Sequence, residues 1–133
     1  MYMMNCKIGM MVFGLTALQA GAAPAAEDGD WRQGRAVFAR CASCHSFTEG
    51  QHRFGPSLHG VFDRKAGTIP GYPYSEGMQA KGAAGLVWTA ETMDLFLTKP
   101  GEFIPKTKMN YPGLPDAQDR ANVIAYVKRR AAK

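Results

Sequence analysis

Trp31, Gly34, Val37 and Phe38 recur at steps of three and four residues, the period of a helix with one buried face. Asp30 precedes the run as an N-cap. The same period returns near the other end of the chain, where Val123, Ile124 and Val127 form an apolar stripe beside Tyr126. Asp116 follows Pro115 and can cap that helix. Lys128, Arg129 and Arg130 stand at its C-terminal end, where the helix dipole favours cations. A third helix is predicted from about Thr89 to Thr98, with Met93, Phe96 and Leu97 inward, and Lys99-Pro100-Gly101 stops it. A shorter helix covers Ser75 to Lys81 and ends at Gly82. No stretch alternates convincingly as a strand, so the pattern predicts an all-α domain with long Gly- and Pro-rich loops. Gly34 and Phe38 share a helix face. Glycine inside a helix costs about 1 kcal/mol against alanine, and close approach by the C-terminal helix is the expected gain.

The first residues have a different pattern. Lys7 is the only charge before an almost wholly apolar run from Ile8 to Leu18. Small residues from Ala20 to Ala26 follow, then Glu27-Asp28. That is the order of an export signal, and residues 1–26 are assigned to it, with 27–133 as the single domain. The alternative is an uncleaved anchor. A spanning helix needs about 20 apolar residues, and here that length is reached only by including Gln19, Pro24 and glycines. The expected compartment is the bacterial periplasm, which is oxidising, with no stable membrane insertion once the signal is removed. Cys6 lies ahead of the apolar run and so is not placed for lipidation. The whole chain carries a formal net charge of +5.

The chemistry concentrates in Cys41-Ala42-Ser43-Cys44-His45. Two cysteines at this spacing followed at once by histidine read as a c-type haem attachment site. Each thiol adds to one vinyl group, and one helical turn lets both sulfurs reach the same ring. His45 is then held under the iron as its proximal ligand. Half a zinc site is the rival reading, but zinc wants four ligands, and Cys6 is the only other cysteine. A redox dithiol belongs near a βαβ pattern, which is absent. A single covalent haem would also supply much of the interior that so short a domain lacks.

Over nearly all of residues 29–130 the chain resembles a class I c-type cytochrome of the soluble mitochondrial and bacterial kind. The likeness is carried by Gly34-x-x-x-Phe38, the Cys41–His45 pentapeptide, Gly55-Pro56-Ser57-Leu58-His59-Gly60 and Arg64-Lys65-Ala66-Gly67. Gly71-Tyr72-Pro73-Tyr74-Ser75, Trp88-Thr89, Ile104-Pro105-Lys106-Thr107-Lys108-Met109 and Arg120 with Ile124-Ala125-Tyr126 complete it. The resemblance implies the small cytochrome c fold, its N- and C-terminal helices packed together around one covalently bound haem. It implies Met109 as the sixth iron ligand. Met78 and Met93 fall in helical patterns, where methionine is usually core filler, and His52 and His59 are the rival ligands. Pro56 matches the proline whose carbonyl accepts a hydrogen bond from the ligand histidine. Arg64, Tyr74 and Trp88 match positions that meet haem propionates, and Thr107 stands beside the ligand loop. Leu58, Leu97 and Tyr111 are expected to pack on the ring.

This chain departs from the family at several places. Lys106 stands where glycine is frequent, Phe96 where tyrosine is, Met78 where asparagine is and Tyr111 where phenylalanine is. Ala83-Ala84-Gly85 resembles a short insertion.

The resemblance implies a one-electron carrier with no catalytic residues, since iron held by both His45 and Met109 has no open position. Methionine beside histidine is the pair known in cytochromes c to raise the potential. The alternative is a haem enzyme or ligand sensor with a labile sixth ligand. Arg53, Lys81, Lys99, Lys106 and Lys108 are expected to rim the exposed haem edge and to dock acidic redox proteins transiently, on a monomer. No nucleic-acid motif is visible.

Overall fold

Residues 29–132 are described in the computed structural model of the chain. The expected signal over 1–26 and Cys6 therefore lie outside the described residues.

Five helices run in the order α1 (Trp31–Phe38), α2 (Glu76–Ala83), α3 (Ala90–Thr98), α4 (Pro100–Phe103) and α5 (Ala117–Arg130). Their starts follow from short polar side chains that satisfy otherwise orphaned amides. Asp30 accepts from the Arg32 amide at 2.8 Å, and Asp116 accepts from Asp119 at 2.8 Å. Ser75 caps α2. Thr89 and Thr92 cap α3 reciprocally, each side chain accepting from the other's backbone amide. The all-α expectation holds: among the described residues the only β pairing is an isolated antiparallel bridge between Lys65 and Val87.

The helix α4 was not expected. Lys99-Pro100-Gly101 ends α3, but proline at the first helical position needs no amide partner, so the same residues start a new turn. α2 likewise runs to Ala83, past the stop expected at Gly82.

α1 and α5 cross closely. A Cβ on Gly34 would land on the carbonyl of Asn122, so only glycine lets the backbones meet. Asn122, buried in the crossing, accepts from the Asp30 amide at 2.8 Å and from Gln118 Nε2 at 3.0 Å. Phe38 packs on Tyr126 and Phe47 with centroids 5.3 and 4.8 Å apart. Val37, Val123, Ile124 and Val127 are buried as the pattern required. α3 joins α5 through Arg120, whose Nε donates to Asp94 at 2.7 Å and whose Nη1 donates to the Leu114 and Pro115 carbonyls. Among the described residues no helix is long and apolar enough to cross a membrane.

Candidate functional site

The Cys41–His45 segment leaves α1 as one further turn. The Cys41 amide donates to the Phe38 carbonyl at 2.8 Å, and the Cys41 carbonyl accepts from both Cys44 and His45, at 3.1 and 3.0 Å. This turn sets both thiols and the imidazole on the wall of one cavity of about 630 Å³. Cys41 and Cys44 are free and half-buried. Burial, then Cys44, pushes the Cys41 thiol above its ordinary value, with Arg40 opposing.

The tautomer of His45 is fixed by its partner. A carbonyl can only accept, so Nδ1–H donates to the Pro56 oxygen, at 2.8 Å. Burial pulls the ring below its ordinary value, with the Pro56 bond working against it. The imidazole is therefore neutral at pH 7, and Nε2 keeps its lone pair for a metal. Gly55 lies flat against the ring: a Cβ there would fall on its Cε1 edge. The Gly55 amide is tied to the Cys44 carbonyl at 2.8 Å, which locks this loop to the cysteine turn.

Met109 reaches the same cavity from a loop built on Ile104, which is fully buried. Thr107 donates its amide to Ile104, and its hydroxyl accepts from the Met109 amide at 3.2 Å. Lys108 is anchored by Nζ to the Pro73 carbonyl at 2.5 Å. Lys106 holds φ at +59°, in the left-handed region that favours glycine. That accounts for glycine being frequent at this position in the resemblance. The rival histidines lie elsewhere, and the His52 ring is engaged there. His52 donates Nε2–H to the Pro70 carbonyl at 3.0 Å and accepts at Nδ1 from the Ser57 amide at 3.1 Å. Neither His52 nor His59 lines the cavity.

The polar side of the cavity carries Arg64, Tyr74 and Trp88. The backbone holds Arg64 beside Trp88, the Trp88 amide donating to the Arg64 carbonyl at 2.9 Å. Arg64 Nη1 donates to His59 O at 2.9 Å. Burial lowers the guanidinium, opposed by Tyr74 beside it, and burial raises the Tyr74 phenol, opposed first by Arg64. The apolar walls come from the helices: Phe38 from α1, Met93, Phe96 and Leu97 from α3, Val123 and Val127 from α5. Leu58, Pro56, Thr107 and Tyr111 also line it, so every site residue expected from the sequence meets in one place.

Met78 and Phe54 are among the further wall residues that were not named as site residues. Helical spacing alone reads Met78 as core filler, whereas the resemblance sets it where the family has an asparagine near the haem, and it lines the cavity. Phe54 gave no signal at all in the sequence. Among the expected rim cations, Arg53 and Lys106 are exposed and Lys108 lines the cavity. Lys99 is paired with Glu102 at 2.9 Å, and Lys81 lies over the Phe103 ring at 5.3 Å.

These residues fit a covalently held haem. The cavity offers two thiols a turn apart, a neutral imidazole with one free nitrogen and a thioether on a separate loop. It adds apolar walls for a macrocycle and, for carboxylates, an Arg and a Tyr together. Its volume is in the range of small-molecule and cofactor sites. Among the described residues no group of three or more His, Cys, Asp and Glu is placed to hold a bare ion.

Comparison with known proteins agrees. Residues 32–131 match the family model described as Cytochrome c. The chain is 42% identical to cytochrome c2 of Rhodopila globiformis over 81% of its own length and 97% of the relative's. It is 41% identical to cytochrome c2 of Blastochloris viridis, covering 90% and 91%. Cytochrome c type-1 of Ascaris suum is 40% identical, covering 83% and 96%. A solved structure of cytochrome c2 from Rhodospirillum centenum superposes with a TM-score of 0.71 at 40% identity, over 76% of this chain and 98% of that one.

Proposed function

Since the chain belongs to the cytochrome c family, an electron carrier with covalent haem c rather than an enzyme, we propose that Cys41 and Cys44 form the two thioether links. His45 and Met109 would then hold the haem iron. The observation that carries this reading is the single cavity on which both thiols, His45 and Met109 converge. The bound haem supplies the chemistry, holding or releasing one electron at its iron.

The chain's own residues do the rest. Pro56 holds the proton on Nδ1 and keeps Nε2 aimed at the metal, and the hydrogen bond makes the imidazole a stronger donor. Thr107 pins the Met109 amide and so orients the thioether. Phe38, Leu58, Phe96 and Val127 keep water from the ring. Arg64, Tyr74 and Trp88 meet its carboxylates, whose burial requires donors. Phe96 brings no hydroxyl to the Met109 sulfur.

The protein shuttles electrons in the periplasm as a monomer, with residues 1–26 removed as an export signal and 27–133 forming the haem domain. Arg53, Lys106 and Lys108 contribute to a docking face for acidic redox proteins, and the contact is small and transient. Lys99 adds little, because Glu102 neutralises it. The order of charge, apolar run and small residues at the start of the chain supports the export reading. Met109→Ala tests the ligand set: the reduction potential should fall and ferrous protein should bind carbon monoxide, whereas an unchanged potential would remove Met109 from the iron. The mass of the protein purified from periplasm tests removal of residues 1–26, and a full-length chain would refute it; recovery only from the cytoplasm would refute export.

A further inference from the structure

A lone exposed apolar side chain is ordinary on a protein surface, but three observations set Phe54 apart. It is 88% exposed while Leu95 and Val87, the other large exposed apolar side chains among the described residues, are 51% and 37%. It also lines the functional cavity, which those two do not. A side chain that does both stands at the mouth. A group inside the cavity can cover one face of its ring and leave the other outside.

Second, its backbone is held at its carbonyl and through both chain neighbours. The Phe54 carbonyl accepts from Tyr72 Oη at 2.7 Å. Arg53 donates its amide to Gly55 O at 2.9 Å and its guanidinium to Ala42 O at 2.6 Å, and Gly55 N donates to Cys44 O at 2.8 Å. The ring is thus presented by a pinned loop, and little entropy remains to be lost when a partner covers it.

Third, the surrounding charge has one sign. Arg40 and Lys108 line the same cavity and are exposed, Arg53 is adjacent in sequence and exposed, and no Asp or Glu is among the lining residues. An aromatic centre within a charged rim is the anatomy of an interface hot spot.

We propose that Phe54 is the apolar anchor of the docking face, and that the partner is a redox protein presenting a shallow apolar patch bordered by carboxylates. This rests on the electron-shuttling reading above. The cations set the encounter rate, and Phe54 sets how long the pair stays together. A protein partner is favoured over a lipid surface because one aromatic side chain stands here, not an apolar stripe along a helix.

The test uses the holoprotein on gold electrodes coated with carboxylate-terminated alkanethiol, diluted at equal carboxylate density with either hydroxyl- or methyl-terminated thiol. Wild type should adsorb about tenfold or more tightly to the methyl-diluted surface, the amount expected for covering a phenyl ring. Phe54→Ser should lose that preference yet keep its binding to the hydroxyl-diluted surface and its salt dependence. Phe54→Leu should retain most of the preference, which separates contact from misfolding. A Phe54→Ser protein with the full methyl preference would overturn the proposal. Indifference of wild type to carboxylate would instead overturn the cationic docking face itself. Binding to phosphatidylglycerol vesicles that is lost in Phe54→Ser would reassign the residue to lipid and overturn the protein partner.

Discussion

Gly55→Ala probes the histidine side of the site with the smallest change available. The added methyl falls on the Cε1 edge of the His45 ring. The ring cannot retreat freely, because Nδ1 is bound to Pro56 O at 2.8 Å. The loop cannot lift freely either, because the Gly55 amide is bound to Cys44 O at 2.8 Å. Overpacking of this kind costs about 1–3 kcal/mol. Weakening one of the two hydrogen bonds adds about 1 kcal/mol. Against this, alanine restricts the unfolded chain and returns about 0.4–1 kcal/mol. Strain dominates, and the net loss should be about 1–3 kcal/mol. Urea unfolding of the holoprotein should show a lower midpoint with an unchanged slope. The far-red sulfur-to-iron band should weaken as His45 tilts. Gly101→Ala is the control, since a Cβ there meets nothing within 4 Å and should leave stability unchanged or raised by up to about 1 kcal/mol. Wild-type stability and spectrum in Gly55→Ala would refute the reasoning that Gly55 seats the imidazole.

Other consequences can be checked in the same way. Gly34→Ala gains about 1 kcal/mol of helix propensity but drives a methyl into the Asn122 carbonyl, so urea unfolding should still show a net loss of about 1–2 kcal/mol; a more stable variant would mean the helices do not cross there. Asn122→Ala leaves the Asp30 amide without its partner at the buried crossing and should cost about 1–3 kcal/mol in thermal melts. Lys106→Gly relieves a positive φ but loosens the unfolded chain, and the two effects nearly offset, leaving a gain below about 1 kcal/mol; a clear loss would contradict it. Burial raises Tyr74 above its ordinary value of 10.0 in the folded state. The phenol therefore ionises first in the unfolded chain, and stability should be intact below pH 10 and fall as pH rises beyond it. Tyr74→Phe should flatten that alkaline decline, and an equally steep profile would remove Tyr74 as its source.

Much of the site was legible because its chemistry is local. Cys41, Cys44 and His45 occupy one turn, so their spacing alone carries their geometry. Two helix starts were legible for the same reason: Asp30 and Asp116 satisfy amides two and three residues ahead. Gly34 was read from the cost of glycine in a helix, and Asn122 supplies the close neighbour that cost implied. Pro100-Gly101 was read only as a stop, because the rule that ends one helix at proline also allows proline to begin the next. Charge along the chain cannot show that Glu102 folds back on Lys99. Phe54 was invisible, since nothing in sequence separates an aromatic held outward by Tyr72 from one folded inward.

The central claim is that His45 and Met109 would together hold the haem iron. The most direct test is an optical spectrum of the holoprotein, oxidised and reduced, followed by carbon monoxide on the reduced form. The account predicts a far-red sulfur-to-iron band in the ferric state and no response to carbon monoxide. A missing band with rapid carbon monoxide binding would contradict it.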